Sequence, residues 1–268
     1  MGLAACAHLP TPHERAAHAD ALAAAAAWRA EPIAAGDFTL QAYLPVVVKK
    51  AETLTVYIEG DGLAWINSTT PSHDPTPVRP LSLLLALRDT ASAAYLARPC
   101  QFAEAAQQGC AQKYWTSHRF SPEVIGATNR AIDSLKQRFG ARSVILVGYS
   151  GGGAVAALAA AARHDVSQLI TVAGNLDHQA WTQAHHLAPL SASLNPAEAW
   201  RHLDGLPQLH FVGSKDQVIE PAVVRSYAAR FRQERQPKIV VMPDFDHVCC
   251  WVEQWQELAP IRGSPVLK

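Results

Sequence analysis

One serine stands in a run of residues whose spacing is typical of a nucleophile. The run is Gly-Tyr-Ser-Gly-Gly, with Ser150 between Gly148 and Gly152. Residues 144–147 before it are wholly apolar and predict a buried strand, and the alanine-rich residues 151–163 after it predict a helix. A strand, a sharp turn and a helix in this order expose the serine hydroxyl, and only small neighbours fit where the strand and the helix crowd together. The pattern predicts a nucleophilic serine with two structural glycines.

A serine needs a base to remove its proton and a carboxylate to orient that base. Asp216 directly follows a predicted strand over residues 208–212, and His247 follows the next one over residues 238–242. Because the carboxyl ends of parallel strands meet at one edge of a sheet, we expect both side chains beside Ser150. The sequence therefore predicts Ser150, Asp216 and His247 as a catalytic triad.

Other acids and histidines compete less well for these roles. Asp244 and Asp246 are reserve acids, but a residue adjacent to His247 would usually point elsewhere. Four further histidines follow no late strand, namely His118, His185, His186 and His202.

Attack by a serine on a carbonyl also needs donors for the oxyanion that forms. The backbone N–H of Gly151, directly after the serine, is the first candidate. The second donor is expected in the loop after an early strand, here the Glu-Gly-Asp-Gly turn at the end of the strand predicted at residues 53–59. We assign it to the Asp61 N–H, with the Gly62 N–H as the alternative.

The elements around these residues alternate between strands and helices, which predicts the α/β class with a mostly parallel central sheet and helices on both faces. Residues 1–35 are predicted to be a tether and a packing helix, and residues 36–268 a single domain in which residues 175–206 are a short helical cap insertion. Strands are predicted at residues 38–44, 53–59, 93–97, 143–147, 168–173, 208–212 and 238–242. Helices are predicted around residues 20–29 and at residues 122–139, 151–163, 221–232 and 250–258.

Composition narrows the classes of protein and partner. The 268 residues are 49% hydrophobic, enough for a large core, and Lys+Arg and Asp+Glu both number 23. A formal net charge of zero disfavours nucleic acid as a partner. No window carries the roughly 18 apolar residues of a membrane span. Neither Cys-x-x-Cys nor His-x-x-x-His spacing occurs, so no metal site is expected.

Five cysteines bear on the cellular compartment. Cys100 and Cys110 bracket a short polar stretch and are candidates for a disulfide formed in an oxidising space. Cys249 and Cys250 are adjacent, and are either two buried thiols or a vicinal disulfide. The start of the chain, Leu-Ala-Ala-Cys, resembles a bacterial lipobox, in which Cys6 would be lipidated and attach the protein to a membrane; the alternative is a chance cysteine in an alanine-rich segment. Together they favour a periplasmic or cell-envelope lipoprotein.

Over residues 38–258 the chain resembles the α/β-hydrolase superfamily, and within it bacterial lipoprotein-like members. The resemblance rests on the Glu-Gly-Asp-Gly turn after a strand, the Gly-Tyr-Ser-Gly-Gly run, Gly-x-x-Asp-x-Val around Asp216, and the late Asp-His pair. It implies a serine hydrolase that needs no cofactor. One departure is Glu59-Gly60, where many relatives have His-Gly, and it bears on the second oxyanion donor.

The expected activity is hydrolysis of a small-molecule ester or acyl substrate through an acyl-enzyme. A peptidase or an acyltransferase would use the same triad and is distinguished by the acceptor of the acyl group. A third alternative is an envelope lipoprotein that keeps the fold without catalysis. Four tryptophans are candidates for the wall of an acyl pocket, namely Trp65, Trp115, Trp181 and Trp200.

Overall fold

The strand that precedes Ser150 lies at the centre of a large twisted sheet. The computed structural model describes residues 9–103 and 109–258, and within them eight strands form one sheet. The strands are β1 (Trp28–Ala35), β2 (Phe38–Pro45), β3 (Thr53–Ile58), β4 (Ala93–Leu96), β5 (Ser143–Tyr149), β6 (Val166–Val172), β7 (Gln208–Gly213) and β8 (Lys238–Met242).

The order of the strands in space is β1-β2-β4-β3-β5-β6-β7-β8. The pairs β1/β2 and β2/β4 are antiparallel, and all other neighbours are parallel. The sequence-based prediction of an α/β protein with a mostly parallel sheet is therefore confirmed. Chain order reverses at β3, since β4 lies on one side of it and β5 on the other. A crevice opens at the carboxyl ends of strands where the order reverses, and ligands of open α/β sheets bind there.

Helices cover both faces of the sheet, as predicted. The helices are α1 (Pro12–Ala25), α2 (Leu81–Ala86), α3 (Pro122–Phe139), α4 (Gly151–Ala161), α5 (His178–Ala184), α6 (Trp200–Leu203), α7 (Pro221–Ala228) and α8 (Trp251–Gln254). Helices α3, α4 and α7 contribute to one hydrophobic cluster, and α1, α2 and α8 to the other. Side chains of a strand alternate between the two clusters: Val56 and Ile58 face the first, and Tyr57 between them faces the second.

The segment before residue 36 differs from the prediction. The helix predicted around residues 20–29 runs instead from Pro12 to Ala25, and Trp28–Ala35 is a strand, so the prediction of a tether and helix up to residue 35 is wrong for this stretch. Ala35 pairs with Phe38 across a two-residue turn in which Gly36 has φ 77°. Gly-Asp between two strands is a hairpin signal, but the alanines that flank it hide the alternation on which strand prediction depends.

The segment predicted as a cap contains helices and loops but no strand among its described residues, with α5 and α6 as its longest regular elements. It connects β6 to β7, and residues 187–190 of it reach the crevice at the carboxyl edge of the sheet. Both cysteine pairs on the described chain are disulfides: Cys100 with Cys110, and Cys249 with Cys250. Cys6 lies outside the described residues.

Candidate active site

The turn between β5 and α4 places Ser150 at the carboxyl edge of the sheet. Its backbone has φ 53° and ψ −123°, a conformation that a non-glycine residue adopts only where its surroundings enforce it. The Ser150 N–H donates to the carbonyl oxygen of Val172 in β6 at 3.0 Å. Helix α4 starts at the next residue, so the serine lies at the positive end of the helix dipole.

Two glycines permit this turn because other backbone atoms occupy the space of a side chain. A Cβ atom on Gly148 would lie 2.2 Å from the carbonyl oxygen of Gly152. A Cβ atom on Gly152 would lie 2.4 Å from the carbonyl oxygens of Ile58 and Glu59, in and directly after β3. Both positions therefore require glycine for packing, as the sequence pattern predicted.

The structure brings Ser150, His247 and Asp216 into one hydrogen-bonded chain. His247 Nε2 lies 3.0 Å from Ser150 Oγ, and His247 Nδ1 lies 2.9 Å from Asp216 Oδ2. A carboxylate only accepts hydrogen bonds, so Nδ1 is the nitrogen that donates to Asp216, and Nε2 is the nitrogen that faces the Ser150 hydroxyl. The three residues come from loops after β5, β7 and β8, which the sheet aligns at one edge.

The carboxylate of Asp216 is held from both sides. Its side chain is fully buried, and Oδ1 accepts the N–H groups of Val218 and Ile219 at 2.8 Å each. With Oδ1 bonded to the loop, Oδ2 is left to face the imidazole. The loop therefore fixes the carboxylate that faces the His247 imidazole.

The loop that carries His247 is fixed by aromatic side chains. The Tyr149 hydroxyl and the Trp251 indole N–H each donate to the carbonyl oxygen of His247 at 3.2 Å, and the Tyr149 ring lies 5.3 Å from the imidazole. Both reserve acids are engaged elsewhere. Asp246 accepts the N–H groups of the next loop residues, and exposed Asp244 pairs with a lysine.

The loop after β3 packs directly on the serine turn. A Cβ atom on Gly60 would lie 3.3 Å from Ser150 Cβ, and one on Gly151 would lie 2.1 Å from Asp61 Oδ1. Asp61 and Gly62 line the crevice together with Ser150. The Gly151 N–H is the first of helix α4 and has no acceptor within the helix. The loop that carries Asp61 and the turn that carries Gly151 therefore pack against each other beside Ser150.

Two arginines bind the side chain of Asp61, and the sequence did not reveal them. Arg98 Nη1 lies 3.2 Å from Oδ1 and Arg119 Nη1 lies 2.7 Å from Oδ2. Burial alone would raise the pKa of Asp61, but the charges of Arg119 and Arg98 outweigh it and lower that pKa. The pair neutralises a carboxylate that would otherwise repel negative charge developing beside Gly151.

Glu59, at the position where the sequence departs from many relatives, is also buried. Its Oε1 accepts the Gly60 N–H at 2.9 Å. Burial raises the pKa of Glu59 to about 7. The carboxyl group therefore changes its protonation state near neutral pH, beside the loop that carries Asp61.

An open cavity of about 960 Å³ lies in front of Ser150. Its wall is mostly apolar, and Trp65 and Trp181 belong to it, as two of the four candidate tryptophans. The other two are elsewhere: the Trp115 indole is buried and donates to the carbonyl oxygen of Ser72, and Trp200 packs on Phe231. The main apolar side chains of the wall are Leu63, Trp65, Val78, Trp181, Leu187, Leu190 and Val218.

The described residues contain neither a metal-binding cluster nor a membrane-spanning helix. No group of three or more His, Cys, Asp and Glu side chains in residues 9–103 and 109–258 is arranged to hold a metal ion. Within the same ranges, no helix has the length and apolar character needed to cross a membrane.

Comparison with known proteins identifies the architecture. No family model and no curated protein matches the sequence. Among solved structures, an α/β serine hydrolase without a lid from Xanthomonas campestris superposes with a TM-score of 0.56 at 16% identity, over 90% of this chain and 97% of that one. An esterase from Pyrococcus furiosus gives a TM-score of 0.61 at 14% identity, over 96% and 94% of the two chains. Est1E from Butyrivibrio proteoclasticus gives 0.57 at 15% identity, over 87% and 97%.

The chain has the α/β-hydrolase fold. Because the identities are this low, the likeness establishes the fold and leaves activity to the residues of the site. In an α/β-hydrolase fold a nucleophile lies after the central strand and its acid and histidine follow later in the chain. Ser150, Asp216 and His247 occupy those places.

Proposed function

We propose that the protein is a serine hydrolase that cleaves carboxylic esters through an acyl-enzyme, with Ser150 as nucleophile, His247 as base and Asp216 as the acid that orients the base. The observation that carries the proposal is the hydrogen-bonded chain from Ser150 Oγ to His247 Nε2 at 3.0 Å and from His247 Nδ1 to Asp216 at 2.9 Å. The descriptions of two similar structures, a serine hydrolase and an esterase, support the same reaction class.

In the first half of the reaction, Ser150 Oγ forms a bond to the carbonyl carbon of the ester and its proton passes to His247 Nε2. The carbonyl π electrons move to oxygen, and this oxyanion accepts the N–H groups of Gly151 and Asp61. The tetrahedral intermediate collapses, the bond to the alcohol breaks, and His247 gives its proton to the departing alkoxide.

In the second half, water repeats the attack. His247 removes a proton from a water molecule as its oxygen bonds to the acyl carbon, and the proton then passes to Ser150 Oγ as the acyl bond breaks. Asp216 stays ionised and stabilises the imidazolium formed in each half. No cofactor takes part in these steps.

The apolar wall of the cavity favours an ester substrate with an apolar acyl or alcohol group. Its wall carries Leu63, Leu190 and Val218 in addition to the two tryptophans, and burying such a group from water contributes about 25 cal/mol for each Å² of apolar surface. Peptide hydrolysis and acyl transfer use the same steps, and differ in the leaving group and in the acceptor of the acyl group.

The decisive experiment joins active-site labelling with turnover. A fluorophosphonate probe should label the folded protein on Ser150, and short-chain p-nitrophenyl esters should be hydrolysed. Ser150→Ala should lose both labelling and turnover, while its unfolding transition stays near that of the wild type. The matched control is Ser134→Ala, which removes a hydroxyl from the exposed face of α3.

Each outcome of this experiment assigns a function. A wild-type protein that is neither labelled nor active would support the alternative that the chain is an envelope protein without catalytic activity. Faster release of the acyl group with added alcohols or amines would indicate an acyltransferase, and cleavage of amides in preference to esters would indicate a peptidase.

We further propose that the protein acts in an oxidising compartment such as the periplasm. The support is the presence of two disulfides, since cytosolic reductants keep thiols reduced. Lipidation of Cys6, which would place it on the cell envelope, is tested by mass spectrometry of the protein expressed in its host.

A further inference from the structure

The peptide group between Gly60 and Asp61 is held by its carbonyl oxygen. That oxygen accepts a hydrogen bond from Gln101 Nε2 at 2.9 Å. In a trans peptide the C=O and the following N–H point in opposite directions. A bond that fixes the Gly60 carbonyl therefore also fixes the direction of the Asp61 N–H. Gly60 packs on Ser150, so the peptide concerned borders the serine directly.

Only one orientation of the Gln101 side-chain amide allows it to make both of its hydrogen bonds. Its Oε1 accepts the backbone N–H of Arg98 at 3.0 Å, and Nε2 then faces the Gly60 carbonyl. Turning the amide over would set oxygen against oxygen and N–H against N–H. The residue is buried, with 1% of its surface exposed, so water does not replace either bond.

The backbone of Gln101 is fixed as well. Its N–H donates to the carbonyl oxygen of Arg98 at 3.2 Å, and the residue before it, Cys100, is buried and joined to Cys110 by the disulfide. The loop after β3 fits closely against this support. A Cβ atom on Gly62, which has φ 62°, would lie 2.8 Å from Gln101 Nε2.

We propose that Gln101 is a positioning residue for the second oxyanion donor, which holds the Asp61 N–H toward the oxygen that becomes negative when Ser150 attacks. This inference rests on the proposed function and adds to it a residue that touches neither substrate nor the reacting atoms. The contact acts through one peptide group. Its loss should therefore leave the binding of an uncharged ester almost unchanged, but reduce the stabilisation of the transition state.

The magnitude follows from what an oxyanion donor contributes. Removal of such a donor lowers kcat by about 10² to 10³-fold. Without Gln101 Nε2 the peptide is still restrained by the Glu59 and arginine contacts on either side. We therefore expect Gln101→Met to lower kcat by roughly 10 to 100-fold with KM within about twofold of the wild type.

A second substitution, Gln101→Glu, makes the hydrogen bond to the Gly60 carbonyl depend on pH. In Gln101→Glu a protonated carboxyl group can donate to the Gly60 carbonyl while its other oxygen accepts the Arg98 N–H, whereas the ionised form sets oxygen against oxygen. The ratio of its kcat to that of the wild type should rise as pH is lowered. Because an ionised carboxylate at this buried position also destabilises the fold, kcat is compared only at pH values where the variant remains folded by circular dichroism, and a residue needed only for folding then gives a ratio that does not depend on pH.

The matched control is Gln208→Met. Gln208 is another buried glutamine whose amide makes two hydrogen bonds, to the carbonyl oxygen of Leu203 and from the hydroxyl of Tyr227. It begins β7, at the edge of the sheet opposite to Ser150. We expect it to lower stability as Gln101→Met does but to leave kcat within about twofold of the wild type, because no oxyanion donor depends on it.

The test measures kcat and KM for a p-nitrophenyl ester and the Ki of a trifluoromethyl ketone. The ketone adds Ser150 Oγ to its carbonyl carbon, passes the serine proton to His247, and places an oxyanion between the same donors. For Gln101→Met we expect kcat to fall and Ki to rise by similar factors. Unchanged kcat and Ki would overturn the proposal, and so would a rise in KM that accounts for the whole loss.

The outcomes separate this inference from the proposed function. An inactive, unlabelled wild type contradicts the proposed function itself. An active wild type with an equally active Gln101→Met contradicts only the role of Gln101. If Gln101→Met does not fold, the pH dependence of Gln101→Glu decides, and a ratio that is flat across pH counts against the proposal.

Discussion

The carboxylate of Asp216 is divided between two tasks: Oδ2 lies 2.9 Å from His247 Nδ1, while Oδ1 accepts two backbone N–H groups of its own loop. Asp216→Asn keeps an oxygen for the loop and presents an NH₂ group to the imidazole, which then carries its proton on Nε2 and cannot accept one from Ser150. We expect kcat to fall by about 10³ to 10⁴-fold with little loss of stability. Ester turnover and thermal unfolding measure the two effects.

Asp244→Asn is the control for that substitution. Asp244 is an exposed acid three residues before His247 and pairs with Lys215 at 2.8 Å. Its loss should leave turnover near the wild-type rate. If Asp244→Asn lost most of its turnover while Asp216→Asn stayed active, Asp244 and not Asp216 would be the acid that orients His247.

Glu59 should make the stability of the protein depend on pH. Burial raises the pKa of Glu59 to about 7 from an ordinary value of 4.5, so the folded state binds more protons than the unfolded state between these values. The free energy of unfolding therefore falls as pH rises through this range, by up to about 3 kcal/mol. Urea titrations from pH 5 to pH 8 would measure the slope.

Glu59→Gln removes the titrating group but keeps an oxygen that can accept the Gly60 N–H. We expect the difference in unfolding free energy between the variant and the wild type to grow in favour of the variant as pH rises. A constant difference across the range would mean that Glu59 does not change its charge in the folded state.

Gly148→Ala tests the close contact under the serine. The new methyl group would meet the carbonyl oxygen of Gly152 at 2.2 Å, and backbone atoms there cannot move without moving Ser150. We expect a loss of about 3 kcal/mol or failure to fold, together with loss of ester turnover. Chemical denaturation of the purified variant measures the change.

Gly126→Ala in α3 is the control for Gly148→Ala, because a methyl group at Gly126 has room. The nearest atom to a Cβ there is Arg130 Nη1 at 3.5 Å, which is ordinary contact, and alanine is a better helix former than glycine. We expect a gain of about 0.5–1 kcal/mol with unchanged turnover. Equal effects of the two substitutions would contradict the packing described for the serine turn.

Trp181 should influence which esters are preferred. Its ring lines the cavity and its indole N–H donates to the carbonyl oxygen of Val218 at 2.8 Å, so Trp181→Ala removes part of the apolar wall. We expect kcat/KM for an octanoate ester to fall by about tenfold or more, and that for an acetate ester to change little.

Trp200→Ala serves as the comparison, because Trp200 packs on Phe231 outside the cavity. It should affect stability and leave the ratio between the two esters unchanged. An unaltered ratio in Trp181→Ala would mean that the acyl group lies elsewhere.

Local sequence pattern was enough to predict the strands that lead to the candidate site. Strand boundaries around Ser150 and before Asp216 and His247 agree with the structure within one or two residues. An apolar run followed by glycine and serine is a local signal, and the parallel sheet then brings the ends of its strands together. This is why three residues far apart in sequence could be predicted to meet.

The supports of the site had no such signal. Arg98, Gln101 and Arg119 lie on loops without periodicity, and they meet the loop after β3 only because of tertiary packing. Strand β1 was missed for a related reason, since its alanines favour a helix and only its pairing with β2 makes it a strand.

Strands β3 and β5 are joined in a ladder in which Thr53 pairs with Ser143 and Ile58 with Gly148. At the carboxyl end of that ladder, the loop that carries Asp61 starts one residue beyond Ile58, and Ser150 lies two residues beyond Gly148. Slippage of the pair by a single residue would carry the two loops about 3.3 Å past each other and turn every side chain of the strand to the opposite face. The register of these two buried strands therefore sets the distance between the loop that carries Asp61 and the hydroxyl of Ser150, which is the space that the carbonyl group of a substrate would occupy.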